Sequence, residues 1–258
     1  MIRNIKHRPG IIRVAKATIS CVLAVTFIFS FGVRDTFGQR RFSRTYPAGK
    51  NVRLVLMNRS GMVTVTGWDR NEISISAYLE LPAAQIAPQS LTDKIYINLV
   101  KDNQGRDVGS VNFEVRVPYE ASVDIETTIG NLNVISVRGG LVRARINSDG
   151  DITLTNIGSA TVAAENVTGN ILFDGLIVDD GNYRFSSMQG RITLRIPFTA
   201  SFRLVATAPS TRSIDLGTLG GGRMRLLSDG RRIVGQNGDG SAIISVTNQR
   251  GSIAFLKR

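Results

Sequence analysis

The chain has one histidine and one cysteine in 258 residues, and both, His7 and Cys21, fall within the first 21 positions. The body of the protein thus has no imidazole to serve as general base and no thiol. Ser-His and Cys-His nucleophilic catalysis, histidine or thiolate zinc centres and an intrachain disulfide are all excluded. Tryptophan occurs once, at Trp68, and acidic residues are scarce: 20 Asp and Glu stand against 32 Lys and Arg, a formal net charge of +12. A surplus of that sign suits approach to anionic polymers or envelope surfaces better than metal binding in an acidic site. The basic residues are not interleaved with aromatics as in single-strand binders, and no nucleic-acid partner is expected. Helical periodicity is absent after the N-terminal segment.

That segment carries Arg3, Lys6, Arg8, Arg13 and Lys16, followed by 17 uncharged residues from Ala17 to Val33. A basic region followed by an apolar run reads as an export signal over residues 1–38, with Thr36 and Gly38 as the small residues before cleavage. The alternative is an uncleaved anchor, since 17 residues lie at the low edge of a bilayer span and Ala17–Val33 would be the membrane contact. Cys21 lies near the start of the apolar run rather than after it, which argues against lipid attachment. Removal of residues 1–38 leaves 26 basic and 19 acidic residues, a net of +7. The product is placed in the periplasm, at the cell surface or outside the cell.

The rest of the chain is ruled off in steps of about ten. Leu132, Val142, Ile152, Val162, Ile171, Ile192 and Phe202 keep this spacing, and each has an apolar partner two residues on: Val134, Ala144, Leu154, Ala164, Phe173, Leu194 and Leu204. Alternation of this kind is strand patterning. Glycines precede many of the strands, with steps of 20, 19 and 21 between Gly130, Gly150, Gly169 and Gly190. Units too small to bury their own apolar face, repeated at fixed spacing, predict an all-β, single-domain β-solenoid: a parallel β-helix-like stack of short strands with some antiparallel hairpins, spanning 51–258 after a polar lead-in at 39–50.

Around this repeat, residues 51–77 read as three strands separated by turns at Ser60-Gly61 and at 67–71. Residues 79–89, with three alanines and two prolines, read as irregular. Residues 95–100 and 111–117 read as strands of a hairpin-like excursion joined by the polar loop 101–109. A second repeat relates 113–123 to 193–202 when Pro118 and Pro197 are superposed: strand, proline, aromatic, Ala-Ser, strand. Proline cannot donate to a ladder, so each should end a strand at a corner, with Tyr119 or Phe198 tucked against the core. Gly220-Gly221-Gly222 and Asp229-Gly230 predict a final hairpin with Met224, Leu226 and Ile233 as strand residues.

The stretch Ser60-Gly61-x-Val63-x-Val65-x-Gly67-Trp68-Asp69, the corners Val115-Arg116-Val117-Pro118 and Leu194-Arg195-Ile196-Pro197, and the steps Gly130-Asn131-Leu132, Gly150-Asp151-Ile152 and Gly169-Asn170-Ile171 resemble the bacterial domain-of-unknown-function family labelled "putative adhesin", related to head-GIN-type domains. The resemblance spans residues 51–255. It implies a β-solenoid and a surface-interaction role, with no catalytic residues to carry over. Thr211-Arg212-Ser213 departs from the pattern where a glycine step is expected.

Five aspartates, Asp149, Asp151, Asp174, Asp179 and Asp180, are the candidates for paired-carboxylate glycan chemistry. All fall at turns, where Asp bonds backbone. Gly235–Gly240 resembles a single copy of a calcium-binding repeat, but such repeats bind by stacking many copies, so a plain turn is expected. Asn58 and Asn166 head short glycosylation motifs of the kind that arise by chance. For interaction, the candidates are Trp68, as a stacking platform or as a lid over an open core end, and Arg223, Arg225, Arg231 and Arg232, as a basic strip or as charges that solubilise an edge. These readings predict no cofactor, no metal, and an exported non-enzymatic module that binds an envelope polymer or a protein and self-associates through its ends. A glycan-active enzyme and an envelope stress or regulatory component are the alternatives.

Overall fold

A computed structural model describes residues 40–258 apart from 222 and 228, so the expected signal or anchor segment, with His7 and Cys21, lies outside the described residues. In chain order the strands are β1 (Arg40–Pro47), β2 (Arg53–Met57), β3 (Val63–Trp68), β4 (Glu72–Leu79), β5 (Gln89–Ser90) and β6 (Lys94–Asn98), then the one-turn helix α1 (Leu99–Asp102). There follow β7 (Val111–Pro118), β8 (Ser122–Ile129), β9 (Leu132–Ile135), β10 (Leu141–Asp149), β11 (Ile152–Ile157), β12 (Thr161–Thr168), β13 (Ile171–Gly175), β14 (Asn182–Gln189) and β15 (Arg191–Ile196). The last are β16 (Phe202–Thr207), β17 (Ile214–Asp215), β18 (Arg223–Leu226), β19 (Arg232–Asn237), β20 (Ala242–Asn248) and β21 (Ser252–Lys257).

The strands form two sheets over one core, ordered β1-β4-β7-β3-β9-β11-β13-β15-β21-β17 and β18-β19-β16-β20-β14-β12-β10-β8-β2-β6-β5. From β7 to β17 and from β6 to β16 every pairing is parallel, so each coil gives one strand to each sheet. The ten-residue spacing is therefore the passage from one sheet to the other. Leu132, Ile152, Ile171, Ile192 and Ile253 stack in one sheet. Leu54, Val123, Val142, Val162, Tyr183, Ile244 and Leu204 stack in the other, and all face inward. The all-β stack of short strands is thus observed, with antiparallel strands added at its ends.

One corner of the stack explains the Gly-Asn/Asp motif. Gly130, Gly150, Gly169 and Gly190 all have positive φ, and a Cβ on any of them would collide with the carbonyl of the glycine one coil before. The following residue ties the coils: Asn131 Oδ1 accepts from Asp151 N at 2.9 Å, Asp151 Oδ1 from Asn170 N at 2.6 Å, and Asn170 Oδ1 from Arg191 N at 3.0 Å. Glycine supplies a conformation and a closeness that no side chain allows, and the Asx side chain supplies the acceptor. Inside the corner the buried Asn166 and Asn248 donate to Gly150 O and Gly190 O.

Several expectations are corrected. The lead-in at 39–50 is strand β1 from Arg40, antiparallel to β4, with Phe42 and Tyr46 packed on the core; its arginines hid the alternation. Strands β6 and β7 are no hairpin but lie in different sheets, because α1 and its loop form the passage between them. Thr211–Ser213 is a 3-10 turn, with Ser210 capping Arg212 N, and it replaces the glycine corner of its coil.

The duplicated proline corner marks a topological irregularity. After Pro118 the chain leaves β7 and steps over β2 and β3 to place β8 beyond them; after Pro197 it leaves β15 and steps over the slot later filled by β20 and β21. Both corners close alike, Ala121 N to Pro118 O at 3.0 Å and Ala200 N to Pro197 O at 3.1 Å. Phe198 packs on the core as expected, whereas Tyr119 lies outside it beneath the Arg138 guanidinium, 5.4 Å from its ring centre.

Candidate functional site

Each sheet turns one side to the core and one outward, and both outward faces carry charge, Arg116, Asp174 and Arg195 on the ten-stranded sheet among them. On the ten-stranded sheet, register places Thr64, Asn133, Thr153, Leu172 and Thr193 in one row, largely neutral and polar. On the eleven-stranded sheet the charged outward residues are segregated by sign along the stack.

From β2 to β12 the cations are paired. Arg53 and Arg143 share Asp124 at 2.6 and 3.4 Å, Arg145 meets Glu165 at 3.0 Å, and Asn147 donates to Glu126 at 2.8 Å. Beyond β12 the acids stop. Arg223, Gln236, Arg203, Ile243 and Asn182 form one cross-strand row, and Arg225, Val234, Val205, Ser245 and Arg184 form the next. Arg232 begins a third row opposite Thr207. Among the described residues Arg184, Arg223, Arg225 and Arg231 have no carboxylate within 4.0 Å; Arg232 lies 4.0 Å from Asp229, and Arg203 Nε donates to Gly240 O at 3.0 Å. Five strands at about 4.8 Å give a cationic face roughly 19 Å across.

Of the four arginines singled out in the sequence, Arg223, Arg225 and Arg232 share this face, while Arg231 sits in the turn before β19. Arg184 and Arg203 were missed. Their signal was present, since both fill outward positions between buried aliphatic or aromatic residues, but joining them to Arg225 requires β20 to lie between β14 and β16, which chain order hides.

Trp68 is no lid. It ends β3, within the ten-stranded sheet and on the side away from the core, where Nε1 donates to Glu72 O at 2.9 Å. The guanidiniums of Arg70 and Arg116 lie 5.0 and 5.6 Å from its ring centre, so its stacking surface is already taken by cations of the chain itself.

The five aspartates do not converge. Asp151 is a rung of the corner ladder, Asp174 faces Arg258 at 2.9 Å and Arg195 at 3.6 Å, Asp179 accepts from Ser241, and Asp180 has the positive φ of a turn residue. Asp149 closes β10. Among the described residues no three His, Cys, Asp or Glu side chains gather as metal ligands. In the Gly235–Gly240 segment, Asn237 Nδ2 donates to Phe198 O and Ala200 O and so clamps the second proline corner. Asn58 and Asn166 are 2% and 6% exposed, with their amides turned to backbone carbonyls, which removes both as glycan acceptors. A shallow groove of about 470 Å³ lies between α1 and β8, but Asn98 already donates to Tyr96 Oη and Asn147 to Glu126.

No protein-family model matches the chain, and no curated protein matches it. Among solved structures it is similar to a putative cell adhesion protein from Clostridium sporogenes ATCC 15579, at 10% identity over 84% of this chain and 99% of that one, TM-score 0.47. It is also similar to a putative adhesin from Bacteroides fragilis NCTC 9343, at 10% identity over 85% and 98%, TM-score 0.35. A third is a putative lipid binding protein from Parabacteroides distasonis ATCC 8503, at 10% identity over 84% and 97%, TM-score 0.34.

Proposed function

We propose that this chain is an exported, non-enzymatic interaction module of the cell envelope or surface, and that it acts through the arginine-bearing end of its eleven-stranded sheet. One observation carries the reading: acids balance cations from β2 to β12, and on the five strands beyond, five outward arginines stand with Asp229 as their one carboxylate neighbour within 4.0 Å among the described residues. Cations left unpaired on a rigid sheet lose little entropy on binding and attract anions over about one Debye length. The structural employment of the aspartates supports a non-catalytic role. Residues 1–38 serve export in this reading, and residues 40–258 are the functional unit.

The test is capture of isolated cell envelope by the purified protein at low and at high salt. Binding that falls steeply with salt, and that is lost when Arg184, Arg203, Arg225 and Arg232 are all changed to Gln, is the expected result. Envelope binding indifferent to both sinks the reading.

A further inference from the structure

The arginine face is not only cationic. Between Arg225 and Arg184 in the second row stand Val234 and Val205, and between Arg203 and Asn182 in the first stands Ile243; Val205 is 39% and Ile243 47% exposed. On the paired half the same two rows run on through Thr161 and Leu141, and through Ala163, Arg143 and Asp124 to Val55, where Leu141 and Val55 are partly buried beside ion pairs. The most exposed aliphatic side chains of these rows thus project at the place where the charge is unopposed. A soluble polyanion needs only the guanidiniums, and exposed aliphatics in their midst gain nothing from it. A phospholipid surface uses both, because its headgroups pair with arginine while aliphatic side chains enter the headgroup and acyl boundary.

We infer that this face docks flat on an anionic lipid bilayer. The inference rests on the interaction reading above and specifies its partner. Arg184, Arg203, Arg223, Arg225 and Arg232 engage lipid phosphates, and Val205, Val234 and Ile243 sink between headgroups. The backbone of these five strands stays in its ladders, so no segment has to fold on contact.

The experiment measures partition of the purified full chain onto vesicles of phosphatidylcholine with and without phosphatidylglycerol, and in parallel its binding to dextran sulfate. Any contribution of residues 17–33 is common to all variants and is read from the pure phosphatidylcholine vesicles. At about 1 kcal/mol per arginine near an anionic surface, R184Q/R225Q weakens partition onto anionic vesicles roughly 30-fold. V205S/I243S, which leaves the charge untouched, weakens it about tenfold and leaves dextran sulfate binding unchanged. Circular dichroism checks that both variants keep the wild-type strand content. If wild type binds dextran sulfate but V205S/I243S partitions onto vesicles as wild type does, the lipid inference falls and the interaction reading stands. If wild type binds neither, both fall.

Discussion

The glycine corner makes the sharpest quantitative claim about what holds the coils in register, and Gly169→Ala tests it in the middle of the stack. Gly169 has φ +122°, and a Cβ there would lie 2.6 Å from the Gly150 carbonyl carbon, nearer still to its oxygen, and 3.0 Å from Asp151 Oδ1. The backbone alone costs about 1–3 kcal/mol for a non-glycine residue in that region. The contact cannot be relieved by a rotamer, since its partner is backbone; lifting one coil off the next adds about 1–3 kcal/mol of overpacking. It also stretches the Asp151 to Asn170 bond of 2.6 Å. A total of about 4 kcal/mol is a large part of the 5–15 kcal/mol typical of a folded domain. With a urea m-value of about 2.5 kcal/mol/M, the midpoint followed by circular dichroism falls by about 1.5 M.

Two other glycines separate the causes. Gly105 has φ +72° with nothing within 4 Å of a Cβ, so Gly105→Ala isolates the backbone cost at about 1–2 kcal/mol. Gly49 lacks both features, and Gly49→Ala is neutral or slightly stabilising. Gly169→Ala no more costly than Gly105→Ala would refute the idea that carbonyl contact between coils sets the corner.

Burial raises the Tyr183 pKa above its ordinary value near 10, outweighing the hydrogen bond from Val178 N, so the neutral phenol is favoured in the fold; stability is full below pH 10 and declines above it as the unfolded tyrosine ionises. Tyr183→Phe flattens that alkaline decline in urea titrations and costs about 1–2 kcal/mol at neutral pH, because Val178 N and Ser159 O lose their partner. Removing both cations from Trp68 with Arg70→Ala/Arg116→Ala leaves stability within about 1–2 kcal/mol while shifting tryptophan emission to the red as water reaches the ring. Of the four edge strands, β1 and β18 carry Arg40, Arg41, Arg44, Arg223 and Arg225, and β5 and β17 are two residues long. Charged and short edges pair poorly, so, against the self-association expected from the sequence, sedimentation of residues 40–258 is expected to report a monomer, and a concentration-dependent oligomer would contradict it.

Repetition was the part of this fold legible from sequence, because solenoid coils contact only their neighbours and stamp the same pattern each time. Leu132, Ile152 and Ile192 are buried in one ladder as their spacing required. Tyr183 belongs to the companion column, yet its hydroxyl disguised it, and it closes the core by bonding Ser159 O from within. Strand β1 was hidden for the opposite reason: an edge strand needs only one partly buried side, and Arg40, Arg41 and Arg44 outweighed Phe42 and Tyr46 in any reading of local polarity. For the candidate site, three of the four chosen arginines share a face, but that face is defined by non-local register. Arg184 and Arg203 are neighbours across β20, whose sequence lies some forty residues beyond β16, and no local pattern expresses that.

The two proline corners connect this topology to the surface it builds. A regular solenoid adds coils in chain order, and its first and last coils are its ends. Here β2 and β3 lie inside the stack, bounded by β6 and β7 on one side and by β8 and β9 on the other, and β20 and β21 lie inside it between β14 and β15 on one side and β16 and β17 on the other. Both insertions depend on a chain that skips a coil, and at both skips a proline ends the strand and forces the turn that carries the backbone past its neighbour. The second skip sends β16 ahead to wait for β20, and the hairpin of β18 and β19 extends the sheet beyond it. The arginine face is the sum of those steps: Arg184 comes from before the skip, Arg203 from just after it, Arg225 and Arg232 from the hairpin, and the Ile243 strand seals them into one surface. A stack built in simple chain order would set Asn182 opposite Arg203 and Arg184 opposite Val205, so the out-of-order coil accounts for Ile243 and Ser245 on the face, while Val205 and Val234 arrive with β16 and β19.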